Sequence, residues 1–160
     1  MVLAVAPGVE VVYFELQRGT MTGQRFQHYL DKLYQILRDT DALNPVIILD
    51  NAPVHRGAMC GDALVKYLPA YSPFLNPIEN CFSVFKLKLR ETLRQDQVKE
   101  RIATVPAGIS AAEHWIRVLH DLAASILNDQ STISGLKVTN MTNHVMTYMH
   151  RCSIGADIIV

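Results

Sequence analysis

The sequence predicts an α/β fold. Three elements along the first 50 residues favour this class: a hairpin rich in β-branched residues, an amphipathic helix and an uninterrupted apolar strand. The hairpin is formed by Val2 to Ala6 and Val9 to Leu16, which are apolar and separated by the turn dipeptide Pro7-Gly8. The sheet is therefore expected to begin at the start of the chain.

The first helix and the next strand are the clearest elements of the pattern. Thr22 can cap a helix whose apolar residues recur at a spacing of three and four: Phe26, Tyr29, Leu30, Leu33, Ile36 and Leu37. Val46 to Leu49 follows Pro45 and runs apolar without alternation, which is typical of a strand covered on both faces. Asp50 is expected where that strand ends.

The second half of the chain is predicted to be mainly helical. Ala63 to Leu68 is a candidate strand, and a helix starts at Pro77 with Asn76 as its N-cap and Glu79 in its first turn. Ser110 begins another capping pattern, whose helix is predicted to bury Trp115, and residues 140 to 152 suggest a last short helix. We expect a sheet-containing domain over residues 1–95 and a helical C-terminal extension of the same domain over residues 96–160.

Composition and charge exclude several classes of protein. Hydrophobic residues make up 49% of the 160 residues and charged residues 19%, so the chain can bury a core. The formal net charge is zero, so nucleic-acid contact would have to come from a local patch. No apolar run approaches the roughly 20 residues of a transmembrane helix, no secretory leader is recognised, and three cysteines suit a reducing compartment. These features predict an intracellular protein with no membrane partner.

Two carboxylates stand at element boundaries and form the candidate site. Asp50 ends a strand and Glu79 lies in the first turn of a helix. Ligands of open α/β sheets bind beyond the carboxyl ends of the strands, and Mg²⁺ prefers oxygen ligands, so the two acids could hold a divalent cation. The alternative is structural: Asp50 would form an Asx turn, and Glu79 would complete the cap with Asn76.

The amino-acid sequences of two segments bear on the choice between a metal-binding and a structural role. They are Leu49-Asp50-Asn51-Ala52-Pro53-Val54-His55 and Leu68-Pro69-Ala70-Tyr71-Ser72-Pro73-Phe74-Leu75-Asn76-Pro77-Ile78-Glu79. Both resemble motifs of the catalytic domain of DDE/DDD transposases of the mariner superfamily and its bacterial insertion-sequence relatives. The resemblance is long and specific over residues 1 to about 95 and loose over the remainder.

The resemblance implies a fold, a chemistry and a set of site residues. The fold would be RNase H-like, with a mixed sheet flanked by helices. Three acids would hold two Mg²⁺ (or Mn²⁺) ions for phosphodiester hydrolysis and strand transfer. Asp50 would be the second acid and Glu79 the third. Lys86 and Arg90, on the helical face of Glu79, and His55 would contact DNA. The alternatives are a solvated helix face for the two cations and, for the histidine, orientation of Asp50 or a hydrogen-bonded structural role.

The resemblance also exposes a departure from the family. The chain begins at the family's second strand, so we expect an N-terminally truncated domain without the first strand and the first acid. Metal binding would then be weak or absent, and autonomous catalysis is not expected with two of three acids. We also expect Val2 to Ala6 to close the gap by pairing directly, antiparallel, with Val46 to Leu49.

Two hypotheses for the function follow. The first is a transposase-derived DDE endonuclease domain with impaired cleavage. The second is a non-catalytic or domesticated module that binds DNA weakly or contacts proteins, with a homodimer as one form of such contact. In either case we expect weak, sequence-tolerant binding to DNA, no small-molecule cofactor, and a nuclear location if the source is eukaryotic. Target sequence, oligomeric state and the role of residues 96–160 are left open.

Overall fold

The computed structural model describes residues 1–6, 10–40, 45–70, 76, 78–129 and 157–160. They fall into two compact units, one of residues 1–79 with 137–160 and one of residues 80–136. The strands are β1 (Val2–Ala6), β2 (Glu10–Glu15), β3 (Val46–Leu49), β4 (Leu64–Tyr67) and β5 (Asp157–Ile159). The helices are α1 (Gly23–Asp39), α2 (Ile78–Leu93), α3 (Asp96–Ala103) and α4 (Ala111–Asn128). The predicted α/β class is confirmed, and the mixed sheet is compatible with an RNase H-like fold.

The first unit is built on one five-stranded sheet with the order β2-β1-β5-β3-β4. β1 and β2 form the predicted antiparallel hairpin, and β3 and β4 pair in parallel with Val46 opposite Leu64. All four residues of β3 are buried, as expected for a run without alternation. The sheet therefore contains every strand that the sequence indicated, together with one that it did not.

The expected direct pairing of β1 with β3 is wrong. β5, from the end of the chain, lies between them, antiparallel to β1 and parallel to β3. It aligns Asp157 with Val46 and Ile159 with Ile48, and the Val160 N–H donates to the Ile48 carbonyl at 3.0 Å. The inserted strand provides hydrogen-bond partners for the facing edges of β1 and β3. Without it, these two edges would have had to bond directly to each other. The region expected to be a helical extension thus also contains a strand.

Helix α1 supplies the core that supports this sheet. Thr22 caps it, since its hydroxyl accepts the Arg25 N–H at 3.3 Å. The buried stripe is the one predicted, except that Ile36 is only partly buried, and it packs in one apolar cluster with Ala4, Ile47, Leu49 and Val160. Tyr29 stacks on Tyr13 of β2 at 5.0 Å between ring centroids and donates to the Tyr13 carbonyl at 3.2 Å. These contacts fix α1 against the sheet.

The second unit is helical over its described residues. It contains most of α2 together with α3 and α4, and its apolar cluster consists of Val98, Val118 and Leu122 with Leu89, Leu93 and Ile102 beside them. Ser110 caps α4 by accepting the Glu113 N–H at 3.2 Å, as predicted. Trp115 was expected in the core but is 37% exposed, because α4 buries the row of His114, Val118 and Leu122 instead.

The short helix predicted for residues 140 to 152 lies outside the described residues. Among the residues that are described, no helix is long and apolar enough to cross a membrane.

Candidate metal and nucleic-acid site

Asp50 lies directly after the buried strand β3, where the sequence placed it. Its Oδ1 atom accepts the Ala52 N–H at 2.8 Å, which is the Asx turn considered as the structural alternative. The side chain is nevertheless 43% exposed. One carboxylate oxygen is thus held by the backbone at the rim of the sheet, and the group as a whole still reaches solvent.

His55 approaches the same carboxylate from the short 3₁₀ turn Pro53–His55. Its Nδ1 atom lies 2.7 Å from Asp50 Oδ1, and its side chain is only 13% exposed. The ring also packs against Phe26 of α1, with 4.2 Å between ring centroids and a tilt of 31°. With Nδ1–H donated to Asp50, His55 orients the carboxylate while α1 orients His55. Direct contact of His55 with DNA stays a prediction.

The strand ends around Asp50 are tied to the start of the second motif. The Leu68 N–H donates to the Leu49 carbonyl at 2.8 Å, and the Asn51 side chain donates back to the Leu68 carbonyl. Leu68 is thereby held through both of its backbone polar groups, just past β4. Tyr67 adds a bond from its hydroxyl to the His55 carbonyl at 2.6 Å. These bonds fix where the segment leading to α2 leaves the sheet.

Glu79 lies in the first turn of α2 and belongs to the same compact unit as Asp50. The cap of this helix comes from Asn76, which is buried and whose Oδ1 accepts the Ile78 N–H at 3.3 Å. The Glu79 N–H donates to the Asn76 carbonyl at 3.4 Å, and among the described residues no bond joins the exposed Glu79 carboxylate to Asn76. Joint metal coordination by Asp50 and Glu79 stays a prediction.

The cations Lys86 and Arg90 follow Glu79 on α2, at separations of seven and eleven residues. In the second unit both are exposed, and neither forms an ion pair with another described residue. A spacing of four places them on one helical face. This geometry is open both to phosphate contact and to simple solvation.

The donor chemistry suits a hard divalent cation but is sparse. Carboxylate oxygens are the ligands that Mg²⁺ prefers, and Asp50 presents a half-exposed carboxylate with one oxygen already positioned. In the part of the chain that is described, however, no group of three or more His, Cys, Asp or Glu side chains is arranged to hold a metal ion. The residues fit a metal bound by few protein ligands and several waters.

Strand β5, which pairs with β3, does not add a further acid near Asp50. β5 carries one acidic residue, Asp157, and the register places it opposite Val46. Val46 and Asp50 are four residues apart, which is about 13 Å along a strand at 3.3 Å per residue. Asp157 therefore starts its strand at the other end from Asp50.

A family model described as DDE superfamily endonuclease matches residues 3–103, which include β1 from its second residue, β2 to β4, α2 and both candidate acids. The match covers more than half of the 160 residues. The chain belongs to the DDE superfamily endonuclease family. No curated protein and no solved structure matches significantly.

Three supporting residues of this DDE endonuclease domain were missed by sequence reasoning. Asn51 stands within the first motif, so its place beside Asp50 was a usable signal for a structural bond. Phe26 was identified only as a core residue of α1, and its contact with His55 links positions 29 apart. Tyr67 was assigned only to a strand. The last two roles depend on tertiary contacts that no local pattern encodes.

Proposed function

We propose that this DDE endonuclease domain binds DNA with a divalent cation at Asp50 and Glu79, and that its cleavage of DNA is impaired. The observation that carries the proposal is the oriented, half-exposed Asp50 carboxylate at the end of β3 in a chain that matches the family. The arrangement of acids is consistent with impaired cleavage, since no group of three suitable side chains is found among the described residues.

Each residue of the site has a definite task in this proposal. A bound divalent cation would supply charge neutralisation at the scissile phosphate and lower the pKa of bound water. Asp50 and Glu79 would hold that cation. His55 keeps Asp50 Oδ1 in place through the bond of 2.7 Å, and the Ala52 N–H fixes the same oxygen. Asn51 fixes the exit of the segment that carries Glu79.

Lys86 and Arg90 are proposed to contact DNA phosphates. Both are exposed on one face of α2, and in the described part of the chain neither is engaged in an ion pair. Phosphate contacts of this kind give affinity without sequence preference. Weak, non-specific binding is therefore expected, in line with the zero net charge.

The test is nicking of supercoiled DNA with Mg²⁺ or Mn²⁺. We expect slow nicking that disappears in both Asp50→Asn and Glu79→Gln. Asp39→Asn is the matched control, because Asp39 is an exposed acid at the end of α1. Nicking that is equal in all four proteins would identify a contaminating nuclease and contradict the assignment of Asp50 and Glu79.

A second candidate function is a DNA-binding module without cleavage. It is favoured by the absence of a three-residue metal cluster from the described residues. Retained DNA binding that does not respond to divalent cations, with no nicking in any protein, would support this module over the endonuclease. Loss of both activities would leave a role in protein–protein contact, including a homodimer.

A further inference from the structure

We propose that a cationic cleft on the first unit, away from Asp50 in sequence, binds a phosphodiester group of the DNA backbone. The cleft lies between the end of β2 and the first turns of α1 and has a volume of about 440 Å³. Its lining residues are Gln17, Arg18, Gln24, Arg25 and His28. The inference rests on the proposed function for the identity of the polyanion.

The chemistry of the lining selects an anion. The residues that line the cleft carry two guanidinium groups, an imidazole and two amides, and no carboxylate belongs to the described residues that line it. Arginine stays charged at any physiological pH and presents several donors that match phosphate oxygens. The nearby Glu15 carboxylate accepts bonds from Gln17, which is itself a lining residue, at 3.0 Å, from Tyr13 at 3.1 Å and from Lys32 at 3.4 Å.

Hydrogen bonds within the fold hold the cleft in shape. Arg25 Nη1 donates to the Arg18 carbonyl at 2.8 Å and to the Thr20 carbonyl at 3.2 Å, so the loop before α1 wraps around this guanidinium. Gly19, between the two carbonyls, has φ +80°, and a Cβ there would lie 3.6 Å from Arg25 Nη1. Among the described residues, no bond occupies the Nη2 and Nε donors of Arg25, and a preformed loop lowers the entropic cost of binding a ligand there.

The lining also indicates which phosphate compound would bind. A free nucleotide is normally held by an apolar or aromatic pocket around its base, and no Phe, Tyr, Trp or aliphatic side chain belongs to the described residues that line this cleft. A backbone phosphodiester needs only charge and donors. Helix α1 also connects the cleft with the candidate site, because Phe26, next to Arg25, packs on His55, which bonds to Asp50.

The experiment measures binding of a short fluorescein-labelled duplex of random sequence by anisotropy between about 50 and 200 mM NaCl. For Arg18→Gln we expect weaker binding and a log–log salt slope that is smaller by about 0.9, the value for one lost phosphate contact. Arg18→Lys keeps the charge and should keep most of the slope. Arg38→Gln is the matched control, because Arg38 is an exposed cation in the last turn of α1.

The remaining outcomes separate this site from the proposed function. An unchanged slope in Arg18→Gln, or an equal loss in Arg38→Gln, would overturn the cleft even where Asp50-dependent nicking is intact. A reduced slope with no nicking in any protein would support the cleft while the endonuclease proposal fails. Inorganic phosphate is the competing probe: displacement of the duplex only by excess duplex supports the DNA backbone as ligand, and displacement by millimolar phosphate overturns it.

Discussion

Substitution of His55 tests whether this residue supports Asp50 as the geometry indicates. In His55→Ala the fold loses the ring contact with Phe26 at 4.2 Å and the bond to Asp50 at 2.7 Å. An aromatic pair contributes about 0.5–1.5 kcal/mol. A bond to a carboxylate that is 43% exposed contributes about 0.5–1 kcal/mol after screening by solvent. We therefore expect the free energy of unfolding to fall by about 1–2.5 kcal/mol.

His55→Phe separates these two contributions. Phenylalanine keeps a ring against Phe26 but cannot donate to Asp50, so its cost should be limited to about 0.5–1 kcal/mol. His28→Ala is the control, since His28 is exposed on α1 and should change stability by less than about 0.5 kcal/mol. Urea unfolding followed by circular dichroism gives the values. If His55→Phe costs as much as His55→Ala, the contribution assigned to the ring contact is refuted.

Three further predictions concern the rest of the fold. Gly61→Ala should lower the free energy of unfolding in urea by more than about 2 kcal/mol, because φ is +55° and the new Cβ would lie 2.3 Å from the Tyr34 ring. Adding Tyr34→Ala should restore part of this loss, and the absence of any restoration would contradict the clash. Burial raises the pKa of Cys60 and of Cys81 from 9.0 to about 11, so the stability that these thiols contribute below pH 9 should decline as the pH rises towards 11. The decline should be smaller in the double variant Cys60→Ala, Cys81→Ala, and equal declines in both proteins would refute the role of the thiols. Ile158→Pro, in the middle of β5, should cost about 3 kcal/mol because a central strand loses an N–H, and a cost below about 1 kcal/mol in the same assay would contradict the central place of β5.

Most elements of the fold could be predicted from local pattern. β1 was predicted with its observed bounds, and the unbroken apolar run of β3 indicated burial on both faces before any partner was known. The caps at Thr22, Asn76 and Ser110 were also predictable, since a side-chain oxygen at each position accepts a backbone N–H within three residues. Trp115 was misplaced because the apolar residues of α4 allow two neighbouring stripes, and the choice between them depends on the partner helices.

By itself the sequence determined the family motifs, the place of Asp50 at a strand end and the start of α2 near Glu79, because each of these depends on residues that are close together in the chain. Only the tertiary structure decided that β5 enters the sheet between β1 and β3, that Phe26 holds His55, and that Arg18 and Arg25 line one cleft. The physical reason is that backbone pairing and side-chain packing stabilise contacts between segments whatever their separation in sequence, and β5 pairs with β3 from more than 100 residues further along the chain.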